Sequence, residues 1–249
     1  MAHDLPRTRR QVGPRAALGR VARTALRRAV SPALAALALV AASRDAAAET
    51  LPYQLEIGPS VGYVARTADS GGPTYAPGVS EGLVMRASLA SWLRVSGRYL
   101  LAYHGVTIPP GSLGLAGAKY DHDNARVETL GGYLHPTLSP LPRTHLWGTV
   151  GIGWSVMEMP AVQVDPPKGP HLRPRRGVFQ EVPLGVGGAF DVVPRWLTVS
   201  LDLLYAPPFS ISGDLWDTDV YYDGAGRDVG GFPKPKMSTY ALFAVCLAL

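Results

Sequence analysis

The sequence predicts an all-β fold: an eight-stranded antiparallel up-and-down β-barrel that crosses a membrane with its strands, preceded by a signal peptide. Three observations predict it. Eight segments alternate large apolar residues with small or polar ones at period two, the connections between them alternate long and short, and the chain opens on a basic, then apolar, then small-residue leader.

The leader comes first along the chain. Nine of the 24 Lys and Arg residues and only two of the 19 Asp and Glu residues fall within 1–48, so the net charge of +5 becomes −2 over the rest. The basicity belongs to the leader, and no nucleic-acid partner is expected. Arg27 and Arg28 precede an apolar stretch from Ala29 to Ala42, and Ala46, Ala47 and Ala48 follow it. This is the order of a secretory signal cleaved near Ala48, and the apolar run falls short of the roughly 20 residues of a spanning helix. The expected organisation is a signal peptide over 1–48 and one barrel domain over 49–249. Charged residues make up 17% of the 249-residue chain, against roughly 25% in soluble domains. Cys246 is the lone cysteine, so no intramolecular disulfide can form.

The strands follow in order. In PYQLEIGPSVGYVART, Tyr53, Leu55, Ile57, Val61 and Tyr63 oppose Gln54, Glu56, Ser60 and Gly62. GLVMRASLA sets Leu83, Met85 and Leu89 against Gly82, Arg86 and Ser88, and LRVSGRYLLAYH sets Leu93, Val95, Tyr99, Leu101 and Tyr103 against Arg94, Ser96, Arg98, Ala102 and His104. RVETLGGYLHPTL carries the weakest pattern, because Glu128 shares a parity with Leu130 and Leu134. HLWGTVGIGWSV alternates Leu146, Val150, Ile152, Trp154 and Val156 with Thr149, Gly151, Gly153 and Ser155. VFQEVPLGVGGAFDV is read as one strand, with Val182, Leu184, Val186 and Phe190 opposite Glu181, Gly185, Gly187 and Ala189. WLTVSLDLLYA sets Leu197, Val199, Leu201, Leu203 and Tyr205 against Thr198, Ser200, Asp202 and Ala206, and YALFAVCLAL ends the chain with Phe243, Val245, Leu247 and Leu249 on one face. Each segment is about ten residues, the length of a tilted membrane-spanning strand.

The connections ASW, SPLPRT and VVPR are tight, and between them come long segments rich in Gly, Pro and polar residues. That loop order places all the long connections at one end. The second face is small, Gly, Ser, Thr and Ala, with few charges; a soluble barrel would turn a charged face to water. Tyr53, Tyr63, Trp92, Tyr103, Trp154, Trp196 and Tyr205 lie near strand ends, as interfacial girdles would.

On these residues, and on the terminal run above all, the mature chain resembles the small eight-stranded outer-membrane barrels of the OmpA, OmpX and OmpW type over roughly 52–249. The resemblance implies a bacterial outer-membrane location, contact with outer-membrane lipid and lipopolysaccharide, and a C-terminal strand read by the barrel-assembly machinery. Phe243, Val245 and Leu247 fit that strand; Leu249 stands where the family usually has an aromatic residue.

Inward charges must find partners, because an unpaired buried charge is costly. An internal network is therefore expected from Arg86, Arg98, Glu181, Asp202 and Glu56, with Arg94 on the same parity and Glu128 open. It would act as a plug, since eight strands leave only enough room for side chains. The expected role is structural or surface-interacting, through the long loops, without enzymatic chemistry, cofactor or metal. Three alternatives stay open: a narrow porin-like channel, a soluble lipocalin-like binder, and a lipid A acyltransferase or deacylase. The resemblance implies that such an enzyme needs His, Ser and carboxylate at the membrane edge, with His104, His122 beside Asp121 and Asp123, and Ser155 as candidates. Asp217, Asp219 and Asp223 are weak candidates for a calcium loop. Lys168, Arg173, Arg175 and Arg176 form a basic loop that could pair with that acidic one or touch lipopolysaccharide phosphates.

Overall fold

The computed structural model describes residues 55–68, 73–109, 119–121, 124–165, 171–172, 174–217, 220–221, 228–229 and 231–249. The leader with its cleavage site, Tyr53, His122, Asp123, Lys168, Arg173, Asp219 and Asp223 lie outside them.

Ten strands build the wall: β1 Leu55–Ala68, β2 Gly78–Ala90, β3 Leu93–His104, β4 Ala125–Leu141, β5 Thr144–Met159, β6 Arg175–Glu181, β7 Leu184–Val193, β8 Leu197–Ala206, β9 Pro208–Ser212 and β10 Pro235–Ala248. They fill eight positions. Strands β6 and β7 both pair with β5, one beyond the other, and face β9 and β8 respectively; β8 pairs with β10, and β10 pairs with β1. Every pairing in the wall is antiparallel and its circle closes, so the wall leaves no edge to attract a foreign strand.

Two positions are broken, both at prolines: the sixth was expected as a single strand, whereas the seventh was expected to end at Ala206, with Pro208–Ser212 in the long connection that follows. Pro183 interrupts the sixth position and Pro207 the seventh; neither has an N–H to give to a ladder. The breaks lie side by side. Gly151 N donates to the Pro183 carbonyl at 2.9 Å and Val182 N to the Pro207 carbonyl at 3.1 Å, which keeps the wall hydrogen-bonded through the kink. The last strand starts at Pro235, five residues before the expected Tyr240, and Leu249 N still donates to the Leu55 carbonyl at 2.8 Å.

The connections at 90–93, 141–144 and 193–197 are tight, and Arg143 (φ 66°) and Arg195 (φ 67°) adopt the left-handed conformation there. The four long connections lie at the other end. Val61, Leu83, Leu130, Leu203 and Leu247 point outward and are 49–60% exposed, while Ser60, Arg86, Ser96 and Asp202 point inward and are buried. The barrel is thus apolar outside and polar inside, the inverse of a soluble protein and the arrangement that only a bilayer solvates. Trp92 and Trp196 ring the tight-turn end, and Tyr63, Tyr103, Trp154 and Tyr205 are exposed toward the other. Beyond them, on the outer surface, Arg126 pairs with Glu128 at 2.5 Å and Arg176 approaches Glu158 at 3.6 Å. These half-exposed ions mark where the lipid-facing band ends, and they settle Glu128, which faces out. The chain is a membrane-spanning β-barrel by architecture.

Candidate functional site

With the wall facing lipid, the chemistry of the molecule lies in the lumen and at the loop end. Inward parity along β1, β2, β3 and β8 brings Glu56, Arg86, Arg94, Arg98 and Asp202 together. Arg86 Nη1 donates to Glu56 Oε2 at 3.0 Å, and Arg94 Nη1 lies 3.5 Å from Glu56 Oε1. Arg98 Nη2 donates to Asp202 Oδ2 at 2.5 Å, while Arg86 Nη2 reaches the same oxygen at 4.0 Å. Arg86 therefore bridges the two carboxylates. Its guanidinium also stacks 4.7 Å over the Trp147 ring, and Trp147 Nε1 donates to Asp202 Oδ1 at 2.8 Å. Glycine at 187 makes that bond possible, since a Cβ there would stand 2.3 Å from both Asp202 Oδ1 and Trp147 Nε1.

Glu181 stands apart from this cluster. It is buried, accepting from the Ser238 hydroxyl and, at 2.5 Å, from Tyr240 Oη; Arg66 Nη2 donates to the same Tyr240 oxygen at 3.2 Å. Arg66 also bonds His104 and lies 5.6 Å over the Phe179 ring. The expected single network is thus two: one of ion pairs near the tight-turn end, and one in which a tyrosine hydroxyl joins Glu181 to an arginine. Register decides this, because β6 stops at Glu181, beside the proline kink.

Of the enzyme candidates, His104 and Ser155 have described side chains, and these two are bonded to different partners. His104 is buried and bonds Arg66 and the Ala76 carbonyl, and Ser155 is buried against Thr129 Oγ1 at 2.8 Å. Arg175, expected in a basic loop, opens β6 and is buried with its guanidinium 5.5 Å over Phe232. Arg176 takes up the anticipated contact between basic and acidic loops, but through its backbone N–H, which donates to Asp214 Oδ1 at 2.8 Å. Asp217 is exposed.

Above the polar lumen sits an apolar cap. Val106, Ile108, Val127, Met157, Met159, Phe179, Leu215, Trp216 and Phe232 form one buried cluster across the outer mouth. Leu215 and Trp216 come from a single 3-10 turn, Asp214–Trp216, in the last long connection. The turn is pinned by Trp216 Nε1 to the Ser212 carbonyl at 3.1 Å and by Phe232 N to the Leu215 carbonyl at 2.9 Å. Tyr75, from the first connection, donates to the Pro233 carbonyl in the last at 3.2 Å, and burial raises its phenol pKa well above the ordinary value.

Sequence reasoning missed Arg66, Tyr133, His135, Trp147 and Tyr240 as lumen residues. Their parity is readable: Trp147 shares a face with Thr149, and Tyr240 with Leu242 and Ala244.

No family model matches the chain, and no curated protein does. Solved structures do. The attachment invasion locus protein Ail of Yersinia pestis is 11% identical with a TM-score of 0.45, the match covering 79% of this chain and 97% of that one. Neisserial surface protein A is 10% identical with a TM-score of 0.46, covering 78% and 96%. A major outer membrane protein from Thermus thermophilus is 12% identical with a TM-score of 0.47, covering 80% and 100%.

Proposed function

We propose that this protein is a stiff, non-conducting barrel of a Gram-negative outer membrane, with a structural and surface-interaction role performed by its long-loop end. One observation carries the reading: the lumen is filled by mutually bonded side chains, and an apolar cap lies over its outer mouth. Ions would have to break bonds between buried charges to pass, and water would have to cross the cap, which leaves the loop end as the working surface. Outer-membrane lipid and lipopolysaccharide are the surroundings of the wall. The terminal strand, with Phe243, Leu247 and Leu249 exposed along one face, is the segment the barrel-assembly machinery would engage.

The purified barrel in planar bilayers tests this. Only transient current fluctuations are expected; steady unitary conductance would favour the porin-like alternative. From the same preparations, serine at Phe243 and Leu247 is expected to lower the outer-membrane yield, and an unchanged yield would remove the assembly role from those residues.

A further inference from the structure

At the tight-turn end, beside the ion-pair network, three side chains stand in line. Ser139 Oγ is 2.8 Å from His145 Nδ1, His145 Nε2 is 3.2 Å from Asp191 Oδ2, and Thr198 Oγ1 donates to Asp191 Oδ1 at 3.0 Å. They come from the end of β4, the start of β5 and the end of β7. The backbone is shaped to bring them together: the ladder between β4 and β5 slips after Leu138, so that Ser139 and Pro140 stand opposite the single residue His145, and the bulge turns Ser139 onto the imidazole. A second slip after Asp191 loosens the ladder between β7 and β8 beside the carboxylate. Asp191 N is also tied to the Arg143 carbonyl at 2.9 Å, which fixes the acid to the turn between β4 and β5. Ser139 is exposed, His145 is buried and Asp191 is half-buried, the gradient a nucleophile, its base and an orienting acid require.

We infer that Ser139, His145 and Asp191 form an acyl-transfer site at the tight-turn end of the barrel, acting on the ester of a membrane glycerolipid. With Nε2–H donated to Asp191, the Nδ1 lone pair faces the Ser139 hydroxyl. Ser139 Oγ attacks the ester carbonyl carbon as its proton passes to His145 Nδ1. The C–O bond to the alcohol then breaks, and His145 returns the proton to that oxygen, leaving the acyl group on Ser139. Water, deprotonated by His145, attacks the acyl-serine; the products are a fatty acid and free Ser139. Ser139 and His145 are the catalytic residues and Asp191 a positioning residue. Depth selects the substrate class. Leu138, Leu141, Leu146, Phe190 and Trp196 are exposed on the lipid-facing side of the wall at the same end, so the site lies at the level where a bilayer's apolar core meets its ester groups. This goes beyond the structural role proposed above, and its test is independent of conductance.

The experiment uses the folded barrel in detergent micelles, challenged with a fluorophosphonate probe and, separately, with phosphatidylethanolamine mixed micelles. Covalent labelling at Ser139 is expected, with release of fatty acid. Labelling should be lost in Ser139→Ala and fall at least about 100-fold in His145→Gln. Asp191→Asn should lose it as well, and Asp191→Glu should restore part of it, which a purely structural clasp would not do. Unboiled gel mobility of each variant reports whether the barrel is folded. Wild-type labelling no faster than that of a folded Ser139→Ala variant, or a rate unchanged by His145→Gln, would overturn the site. Labelling without fatty-acid release would overturn the lipid substrate.

Discussion

Arg86 shows what a single residue does in this lumen. It is 1% exposed, holds Glu56 and approaches Asp202, and covers the Trp147 ring, so it joins two carboxylates that Arg94 and Arg98 satisfy only in part. Removing one partner of a buried pair leaves a stranded charge and costs about 3–5 kcal/mol, whereas trimming an exposed pair costs well under 1 kcal/mol. Arg86→Ala is accordingly expected to lower the temperature at which the unboiled band converts to the boiled one by far more than Arg126→Ala, whose partner Glu128 is half in solvent. Equal shifts would mean that water enters the lumen and screens the cluster. At this scale the sequence is legible up to a point. Parity told that Glu56, Arg86, Arg98, Glu181 and Asp202 face inward, because side-chain period depends only on the strand itself. Which of them touch depends on register between strands far apart in sequence, and so Glu181 was grouped with arginines when its partners are Ser238 and Tyr240.

The elements differ from their sequence signatures where tertiary packing overrides a local pattern. Residues 178–192 keep period two straight through Pro183, which is why one strand was expected; the break shows only when the missing N–H is set against the neighbouring ladder. The 3-10 turn Asp214–Trp216 had no periodic signature at all, being three residues in a long connection, yet it supplies two of the side chains that form the outer cap. Its seat is Gly177 on β6. A Cβ at that position would lie 2.4 Å from Trp216 Cε2, so glycine there is a steric requirement for the cap. Gly177→Val is expected to push Trp216 out of its seat while leaving the wall closed. Chymotrypsin should then cut after Trp216 in the folded variant and spare the folded wild type, with the heat-dependent gel shift preserved in both. Protection of Trp216 in the variant would mean that the cap adjusts around the added methyls and that its seat is not set by Gly177.

For the whole molecule, the decisive feature is the inversion of its faces, and that was the most legible from sequence. Loop order and the scarcity of charge on both faces are properties of the chain in one dimension, needing no register or packing to be read. What they could not show was how the inside is filled, since Tyr133, His135, Trp147 and Tyr240 obey the same alternation as the lipid-facing aromatics but on the opposite parity. The inversion also makes a prediction that separates a bilayer from water as the solvent of the wall. Leu83 is 56% exposed on β2, between Tyr99 of β3 and Pro59 of β1. On a soluble protein, replacing so exposed a leucine by arginine changes stability by no more than about 0.5 kcal/mol. In the lipid-facing band of a barrel the same change costs about 2–4 kcal/mol near the midplane and about 0–1 kcal/mol near the interfaces. Leu83→Arg should therefore destabilise the barrel by the larger amount in denaturant titrations from phospholipid vesicles. Arginine at Leu141, exposed beside a tight turn, should cost little by the same measurement. A position-independent effect close to zero would mean that water solvates this wall, whereas a penalty that peaks at Leu83 would place the middle of the bilayer at that level of the barrel.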